Sequence, residues 1–203
     1  MRRTMLVLAL VALLSAPALF AADISVGVDV PLGMTYWKDS AATDSVNGFL
    51  YGFEGVVNAM FTPQVAGEFK LGLVFDSYSQ SDIFFVGDKW ESVDRYLNFV
   101  GLFKFYVTPT AFIGAGLEYS YFLGGHTEET AYSLGSADVT RSDLSPEDFM
   151  DAGFLLAAGG VDVIVSPTLV VPLAINLAYG VINMPTDVTR MHFYGTIGLR
   201  FLL

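Results

Sequence analysis

The chain has no cysteine, few basic residues and, beyond its N-terminal segment, no long uninterrupted apolar run. Without cysteine it can form neither a disulfide framework nor a lipid anchor on a cysteine. Lys and Arg together number 10 against 21 Asp and Glu, which gives a formal net charge of −11. Such an acidic balance excludes a nucleic-acid-binding protein.

Residues 1–22 have the pattern of a cleaved secretory signal peptide. Arg2 and Arg3 precede an apolar stretch, and small residues follow it. Pro17 interrupts this stretch before it reaches the roughly 20 residues that a membrane-spanning helix requires. We therefore predict a mature domain of residues 23–203, whose net charge is −13 once the two arginines have been removed. Small residues earlier in the segment leave the cleavage position open.

Hydrophobic residues nevertheless make up 53% of the chain. A chain this acidic can be so hydrophobic only if its charged and apolar residues lie in separate places. No later apolar run is as long as a membrane-spanning helix. A mature domain in a membrane must therefore be a closed β-barrel, in which neighbouring strands satisfy every backbone hydrogen bond.

Short and long connections alternate along the mature domain. Three tripeptides with a central proline, at 62–64, 108–110 and 166–168, predict tight hairpin turns. Longer polar segments separate these hairpins, at 35–47, 78–92, 124–150 and 183–190. The pattern predicts eight strands, at 23–34, 48–61, 65–77, 93–107, 110–123, 151–165, 169–182 and 191–203. Transmembrane barrels have short periplasmic turns and long outer loops, so we expect both termini to be periplasmic.

Side chains within these strands alternate between an apolar face and a mixed face. The apolar face carries large residues, for example Phe53, Leu71, Phe103, Leu117, Val163, Ile175 and Leu199. A soluble lipocalin-like barrel has the same alternation, with its apolar side chains inside. We favour apolar side chains outside, because so many bulky aromatics do not fit within eight strands and small residues suit a narrow lumen.

The end of the chain resembles the C-terminal assembly signal of bacterial outer-membrane β-barrels. The resemblance is carried by Thr196, Gly198, Phe201 and Leu203, which end an alternating strand. With the strand pattern, the whole mature chain resembles the small eight-stranded outer-membrane barrel family that includes the OmpA transmembrane domain, OmpX and OmpW. Its final leucine departs from the Phe or Trp usual there. The resemblance implies outer-membrane lipid around the barrel, insertion by the barrel-assembly machinery and no fixed activity.

Charges on the inward face predict a network within the lumen. Its members are Asp29, Glu54, Glu68, Lys70, Lys104, Glu118, Asp162 and Arg200. By position along the strands, Asp29, Glu54 and Glu118 should lie near mid-height and the others nearer the periplasmic end. Charges in so narrow a space must be paired or hydrated. We expect a plug of salt bridges, with a narrow hydrated path that favours cations as the alternative.

The sequence predicts no catalytic, cofactor-binding or metal-binding residues. Its two histidines, His126 and His192, are widely separated, which is poor evidence for a metal site. Either histidine can meet Ser133 or Ser136 in space, but no nucleophile motif accompanies them. We therefore expect a structural or surface-binding role such as adhesion. An OmpW-like narrow pore is the alternative, and a lipid-modifying enzyme ranks third.

The longest loop, 124–150, is the predicted surface for a host or environmental ligand. Within it, residues 145–148 (Ser-Pro-Glu-Asp) predict a short helical turn, because serine caps helices and proline suits the first helical position.

Pro31 and Pro172 fall in the two strands that flank the last strand, and each removes a ladder hydrogen bond. They predict either a lateral opening or a tolerated bulge. We expect a monomer.

Overall fold

The computed structural model describes residues 23–39, 45–81, 89–133, 136–144, 151–182 and 188–203. These residues form nine β-strands: β1 Asp23–Asp39, β2 Ser45–Thr62, β3 Val65–Ser81, β4 Lys89–Tyr106, β5 Ala111–Ser133, β6 Ser136–Leu144, β7 Ala152–Ser166, β8 Leu169–Ile182 and β9 Val188–Leu202. In this part of the chain no helix is long and apolar enough to cross a membrane. The predicted signal peptide lies outside the described residues.

Eight of the strands close into a ring. Each pairs with its neighbours in the order β1, β2, β3, β4, β5, β7, β8 and β9, and β9 pairs with β1. Every pairing is antiparallel, and successive ring strands are neighbours in space. β6 pairs with β5 and is not part of the ring. The predicted eight-stranded up-and-down barrel is confirmed.

The ring is closed by a long pairing between its first and last strands. β1 and β9 pair without a break from Ser25 opposite Leu202 to Asp39 opposite Val188. The terminal residue is held as well, because the N–H of Leu203 donates to the carbonyl oxygen of Ile24 at 2.9 Å. The last strand therefore has a partner on its β1 side along its whole length.

The two prolines interrupt the pairing on either side of this closed seam. Partners are missing between β1 and β2 at Val30 and Pro31, and between β8 and β9 at Val171 and Pro172. A proline has no N–H to contribute to a ladder, which accounts for the positions of these gaps. The lateral opening stays a prediction.

The barrel has its apolar side chains outside and its charges inside. On the outer surface, more than half of the area of Phe53, Phe103 and Ile113 is exposed. Exposed aliphatic and aromatic side chains of this kind occur on every ring strand, including Val28, Leu71, Leu117, Leu155, Ile175, Phe193 and Phe201. A surface this apolar would be unstable in water and suits the hydrocarbon of a bilayer. The chain is therefore a transmembrane β-barrel, with its apolar face outside as predicted.

Several strands run farther than the sequence predicts. β1 continues to Asp39, β3 to Ser81 and β5 to Ser133, while β4 already begins at Lys89. The predicted loops 35–47, 78–92 and 124–150 are therefore too long. The error has a physical cause: apolar alternation ends where the wall leaves the lipid, but polar strands continue to pair in water.

The predicted loop 124–150 contains a β-hairpin. The far half of β5 pairs with β6 from Gly125 opposite Leu144 to Ser133 opposite Ser136. We call residues 125–144 the outer hairpin. The helical turn predicted for 145–148 lies outside the described residues. The short turns and both ends of the described chain lie at the opposite end of the barrel, which we call the turn end.

Candidate functional site

Five lumenal side chains form a compact cluster toward the turn end. This basal cluster consists of Asp29, Glu68, Lys70, Lys104 and Arg200, all of them almost completely buried. Lys70 Nζ lies 2.7 Å from Asp29 Oδ2 and 3.3 Å from Glu68 Oε1. Arg200 Nη2 lies 3.3 Å from Asp29 Oδ2 and 2.7 Å from Glu68 Oε2, and Lys104 also pairs with Glu68 Oε2. Three cations therefore share two carboxylates.

The strands explain how these charges meet. Glu68 and Lys70 are two residues apart on β3, so both point to the same face of the sheet. The Asp29 side chain occupies space that a glycine on β9 provides. Asp29 is paired with Gly198, and a Cβ at residue 198 would fall onto Asp29 Oδ1 and lie 2.7 Å from the Val28 carbonyl oxygen. Gly198 thus makes room for a carboxylate of the basal cluster.

A second lumenal cluster lies toward the end of the barrel opposite the turn end. This outer cluster consists of Asp76, Glu118, Arg190, His192 and Tyr194. Arg190 pairs with Asp76 Oδ2, and His192 Nε2 lies 3.7 Å from the same oxygen. His192 Nδ1 lies 3.0 Å from Glu118 Oε1, and the Tyr194 hydroxyl donates to Glu118 Oε2 at 2.9 Å. These contacts link β9 to β3 and to β5 across the lumen.

Aromatic rings fill the space around the charges of both clusters. Arg190 lies over the Tyr96 ring at 4.7 Å, and the His192 ring lies 4.4 Å from that of Phe154. In the basal cluster, Lys104 Nζ lies 4.1 Å from the centre of the Phe112 ring. A cation over an aromatic face gains energy where water is excluded. The lumen is therefore packed with side chains at both levels.

Two further carboxylates have neutral partners. Glu54 Oε1 accepts a hydrogen bond from Asn98 Nδ2 at 3.0 Å, and the Ser120 hydroxyl donates to Asn98 Oδ1 at 2.9 Å. Asp162 Oδ2 accepts a hydrogen bond of 2.6 Å from the Tyr106 hydroxyl. Within the described part of the chain, these two carboxylates form no ion pair within 4 Å.

The predicted lumenal set thus divides into groups. Glu68, Lys70, Lys104 and Arg200 meet as their strand positions indicated, and Asp29, expected nearer mid-height, joins them. Glu118 belongs to the outer cluster, whereas Glu54 and Asp162 form no ion pair within 4 Å with either cluster. Three further charged or titratable residues of the lumen were not predicted from the sequence: Asp76, Arg190 and His192. Asp76 already shared the inward parity, but Arg190 fell within a predicted loop.

The residues of the proposed assembly signal lie on the two faces of β9. Thr196 and Gly198 face the lumen, whereas Phe201 and Leu203 are exposed, by 53% and 83% respectively. Phe201 is opposite Val26 on β1 and Leu169 on β8. A role of these residues in barrel assembly stays a prediction.

The two histidines considered for catalysis lie in different parts of the barrel. His192 is buried in the outer cluster, while His126 lies on the outer hairpin, paired with Asp143. The side chains of Ser133 and Ser136 lie outside the described part of the structure. No three metal-ligating side chains among the described residues are placed to hold a metal ion.

An apolar outer wall, a charged lumen and a closed ring of eight strands define a small transmembrane β-barrel protein. No protein-family model matches the chain, and no curated protein matches it in sequence. Solved structures do resemble it. OprG from Pseudomonas aeruginosa is 13% identical, with a TM-score of 0.49 over 91% of this chain and 97% of OprG.

Two other solved structures show the range of proteins with a similar fold. Ail of Yersinia pestis, crystallised with the heparin analogue sucrose octasulfate, is 13% identical, with a TM-score of 0.42 over 88% of this chain and 99% of Ail. The protease OmpT of Escherichia coli is 10% identical, with a TM-score of 0.43 over 90% of this chain and 97% of OmpT. The similarity concerns the fold and leaves the activity open.

Lys104 and Arg200 share one oxygen of Glu68, Oε2, and this sharing should be visible in the stability of variants. Lys104→Met and Arg200→Met should each lower the free energy of unfolding by about 1–3 kcal/mol, because each removes a charged partner of a buried carboxylate. The double variant should lose more than the sum, by on the order of 1 kcal/mol, since Glu68 then keeps only Lys70. Urea unfolding in lipid vesicles measures all three variants.

The matched control is Lys89→Met, which removes an exposed ion pair of 2.6 Å with Glu91. Exposed pairs contribute little, so its unfolding midpoint should stay close to that of the wild type. Strict additivity of the two lumenal changes would show that the basal cluster does not act as a unit.

The close contact of Asp29 with Gly198 leads to a second prediction about stability. Gly198→Ala should destabilise the barrel by about 1–3 kcal/mol, because the added methyl group displaces the Asp29 carboxylate. Gly195→Ala on the same strand is the control, since a Cβ there meets only carbonyl oxygens at 3.7 and 3.9 Å. If both variants unfold at the same urea concentration, the close approach of Asp29 to β9 has no energetic importance.

Proposed function

We propose that this protein is a closed outer-membrane barrel that displays the outer hairpin for binding at the cell surface. The carrying observation is the free edge of β6, which pairs with β5 and has no second neighbour among the described strands. An unpaired strand edge offers N–H and C=O groups to an extended segment of another protein. A hairpin beyond the lipid is accessible to such a segment.

The charge of the hairpin indicates the chemistry of its partner. Among its described side chains, four are acidic: Glu128, Glu129, Asp138 and Asp143. Arg141 is basic, and its Nη1 lies 3.4 Å from Glu128 Oε1, so part of its charge is already compensated. An extended segment with basic side chains is therefore the partner that this edge fits best.

The filled lumen supports the view that function resides at the surface. The residues of the basal and outer clusters are at most 7% exposed, and their ion pairs cross the lumen at two levels. Both termini would then face the periplasm and the hairpin would face outward. The barrel serves as the anchor, and the proposed assembly signal on β9 directs its insertion.

A narrow hydrated path is the second candidate function. Buried atoms without a hydrogen-bond partner in the described structure include Asp29 Oδ1, Glu54 Oε2 and Asp162 Oδ1. Lumenal carboxylates also outnumber lumenal cations: Asp29, Glu54, Glu68, Asp76, Asp94, Glu118 and Asp162 face Lys70, Lys104, Arg190 and Arg200. Water or small cations would stabilise these carboxylate oxygens.

Planar-bilayer recordings decide between the two candidates. The refolded wild type should show no long-lived, reproducible openings, because its transverse ion pairs block the lumen. Arg190→Met with Arg200→Met removes ion pairs at both levels and should conduct more readily than the wild type. Stable cation-selective openings of the wild type would contradict the closed barrel and favour the pore as the function.

A peptide probe tests the binding edge directly. A short peptide of alternating lysine and valine should protect the β6 amides from hydrogen exchange, whereas a glutamate–valine peptide should not. Asp138→Lys with Asp143→Lys should reverse this preference and leave the barrel unchanged. The absence of protection, or equal protection by both peptides, would refute charge-selected strand addition.

A further inference from the structure

The outer face of β4 changes from apolar to charged at Arg95. Side chains of a strand alternate between its faces. Counted from the turn end, the outward positions before Arg95 are apolar or glycine: Phe105, Phe103, Gly101, Phe99 and Leu97. Arg95 is the first charged residue on this face, and it is exposed. A single arginine therefore lies where the apolar wall ends.

The length of the apolar stretch places Arg95 at the level of lipid headgroups. Arg95 and Phe105 are ten positions apart on β4, and at about 3.4 Å per residue this is roughly 34 Å along the strand. For a strand tilted by about 40° the height is roughly 26 Å. The apolar band of a transmembrane barrel is about 25 Å tall. With Phe105 at one edge of the hydrocarbon, Arg95 therefore lies at the other edge.

Aromatic rings on the neighbouring strands indicate the same level. Phe75 on β3 is opposite Arg95, and Tyr51 on β2 is opposite Phe75. The rings of Tyr51 and Phe75 are stacked with their centroids 5.2 Å apart, and the Phe49 ring lies 5.9 Å from that of Tyr51. Aromatic residues of transmembrane barrels concentrate where hydrocarbon meets the headgroups. The rings and the length of the apolar stretch therefore agree on the position of Arg95.

The Arg95 side chain lies against the wall on its β5 side. Gly124 is opposite Arg95 on β5, and Arg95 Nη2 lies 3.4 Å from the point that a Cβ of Gly124 would occupy. Gly124 has a φ of 132°, a conformation that favours glycine. The wall therefore has no side chain at this point, and the guanidinium lies beside the bare backbone.

The acids on the same outer face already have cationic partners. Glu91 on β4 pairs with Lys89 at 2.6 Å, and Glu128 on β5 pairs with Arg141 at 3.4 Å. Among the described residues, Arg95 has no ion pair within 4 Å. Its N–H donors are therefore available to an anion from outside the barrel.

We propose that Arg95 binds the phosphate of an anionic membrane lipid in the leaflet on the hairpin side. A guanidinium presents paired N–H donors that match two oxygens of a phosphate group. The acyl chains of this lipid lie along the apolar positions of β4, and the stacked rings flank its headgroup. The site is on the barrel wall and does not depend on binding at the β6 edge.

Native mass spectrometry of the refolded protein, released from detergent micelles that contain phosphatidylglycerol, measures this binding. The wild type should retain one phosphatidylglycerol in preference to a phosphatidylcholine with the same acyl chains. Arg95→Gln should weaken the retention of phosphatidylglycerol by about fivefold, which is the effect of one basic residue at a membrane surface. Retention of phosphatidylcholine should not change.

The matched control is Lys38→Gln. Lys38 is also an exposed outward cation, but it lies between the polar residues Ser45 and Thr189 at the far end of β1. Its removal changes the net charge by the same amount and should leave the retention of phosphatidylglycerol unchanged. An equal loss in both variants, or no loss in Arg95→Gln, would overturn the proposal.

Glycerol phosphate tests whether the ligand is a lipid, because it carries a phosphate without acyl chains. At the same concentration it should not displace phosphatidylglycerol from the wild type. Displacement would show that the site takes free phosphate compounds, which contradicts a lipid site.

Solid-state NMR tests the contact within a bilayer. In phosphatidylglycerol vesicles, the Cζ of Arg95 in isotope-labelled protein should be dipolar coupled to a lipid phosphorus. Arg95→Lys removes this carbon and keeps the positive charge, so the coupled signal should be lost. Absence of the coupling in the wild type, or its persistence at full intensity in Arg95→Lys, would overturn the proposal.

Discussion

Closure of the sheet by pairing of β1 with β9 is the constraint on which the rest of the structure depends. In hydrocarbon an unpaired backbone group costs several kcal/mol, so a membrane sheet cannot keep an open edge. The seam accordingly runs unbroken from Ser25 to Asp39. Both proline gaps lie one strand away from it, where the ladder on the other side of each strand is retained. The only strand with a free edge among those described is β6, which lies beyond the ring.

Closure also determines where the charges go. With lipid outside, a charged side chain on a spanning strand is stable only in the lumen, and a lumen of eight strands is narrow enough for opposite walls to touch. Arg200 on β9 therefore reaches Glu68 on β3, and Glu118 on β5 reaches His192 on β9. The narrow lumen also explains the glycine at position 198. The Asp29 carboxylate occupies the space that a side chain there would fill. The narrow ring brings these charges together, and their ion pairs in turn stabilise the ring by linking strands across the lumen.

The alternating pattern predicted the eight ring strands and the inward face of the eight predicted lumenal charges. The pattern did not predict where the strands end, because polar strand segments continue beyond the apolar face. The part of β5 that pairs with β6 is an example, since it has no apolar face that would indicate a strand. Arg190 lies in the first part of β9, which the pattern predicts as part of the loop 183–190, so Arg190 is not among the predicted lumenal charges. Contacts across the lumen, such as that of Arg190 with Asp76, depend on the relative height of distant strands. A single sequence carries little information about that height.

The central claim is that the apolar face meets lipid and the charged face lines a filled lumen. Nitroxide labels placed singly along β8, from Leu173 to Tyr179, test it most directly, because the native chain has no cysteine. In lipid vesicles, collisions with oxygen should be frequent at Leu173, Ile175, Leu177 and Tyr179 and rare at the positions between them, with a water-soluble nickel chelate excluded from both sets. Free access of the nickel chelate to the apolar positions, or an absence of alternation, would contradict the account.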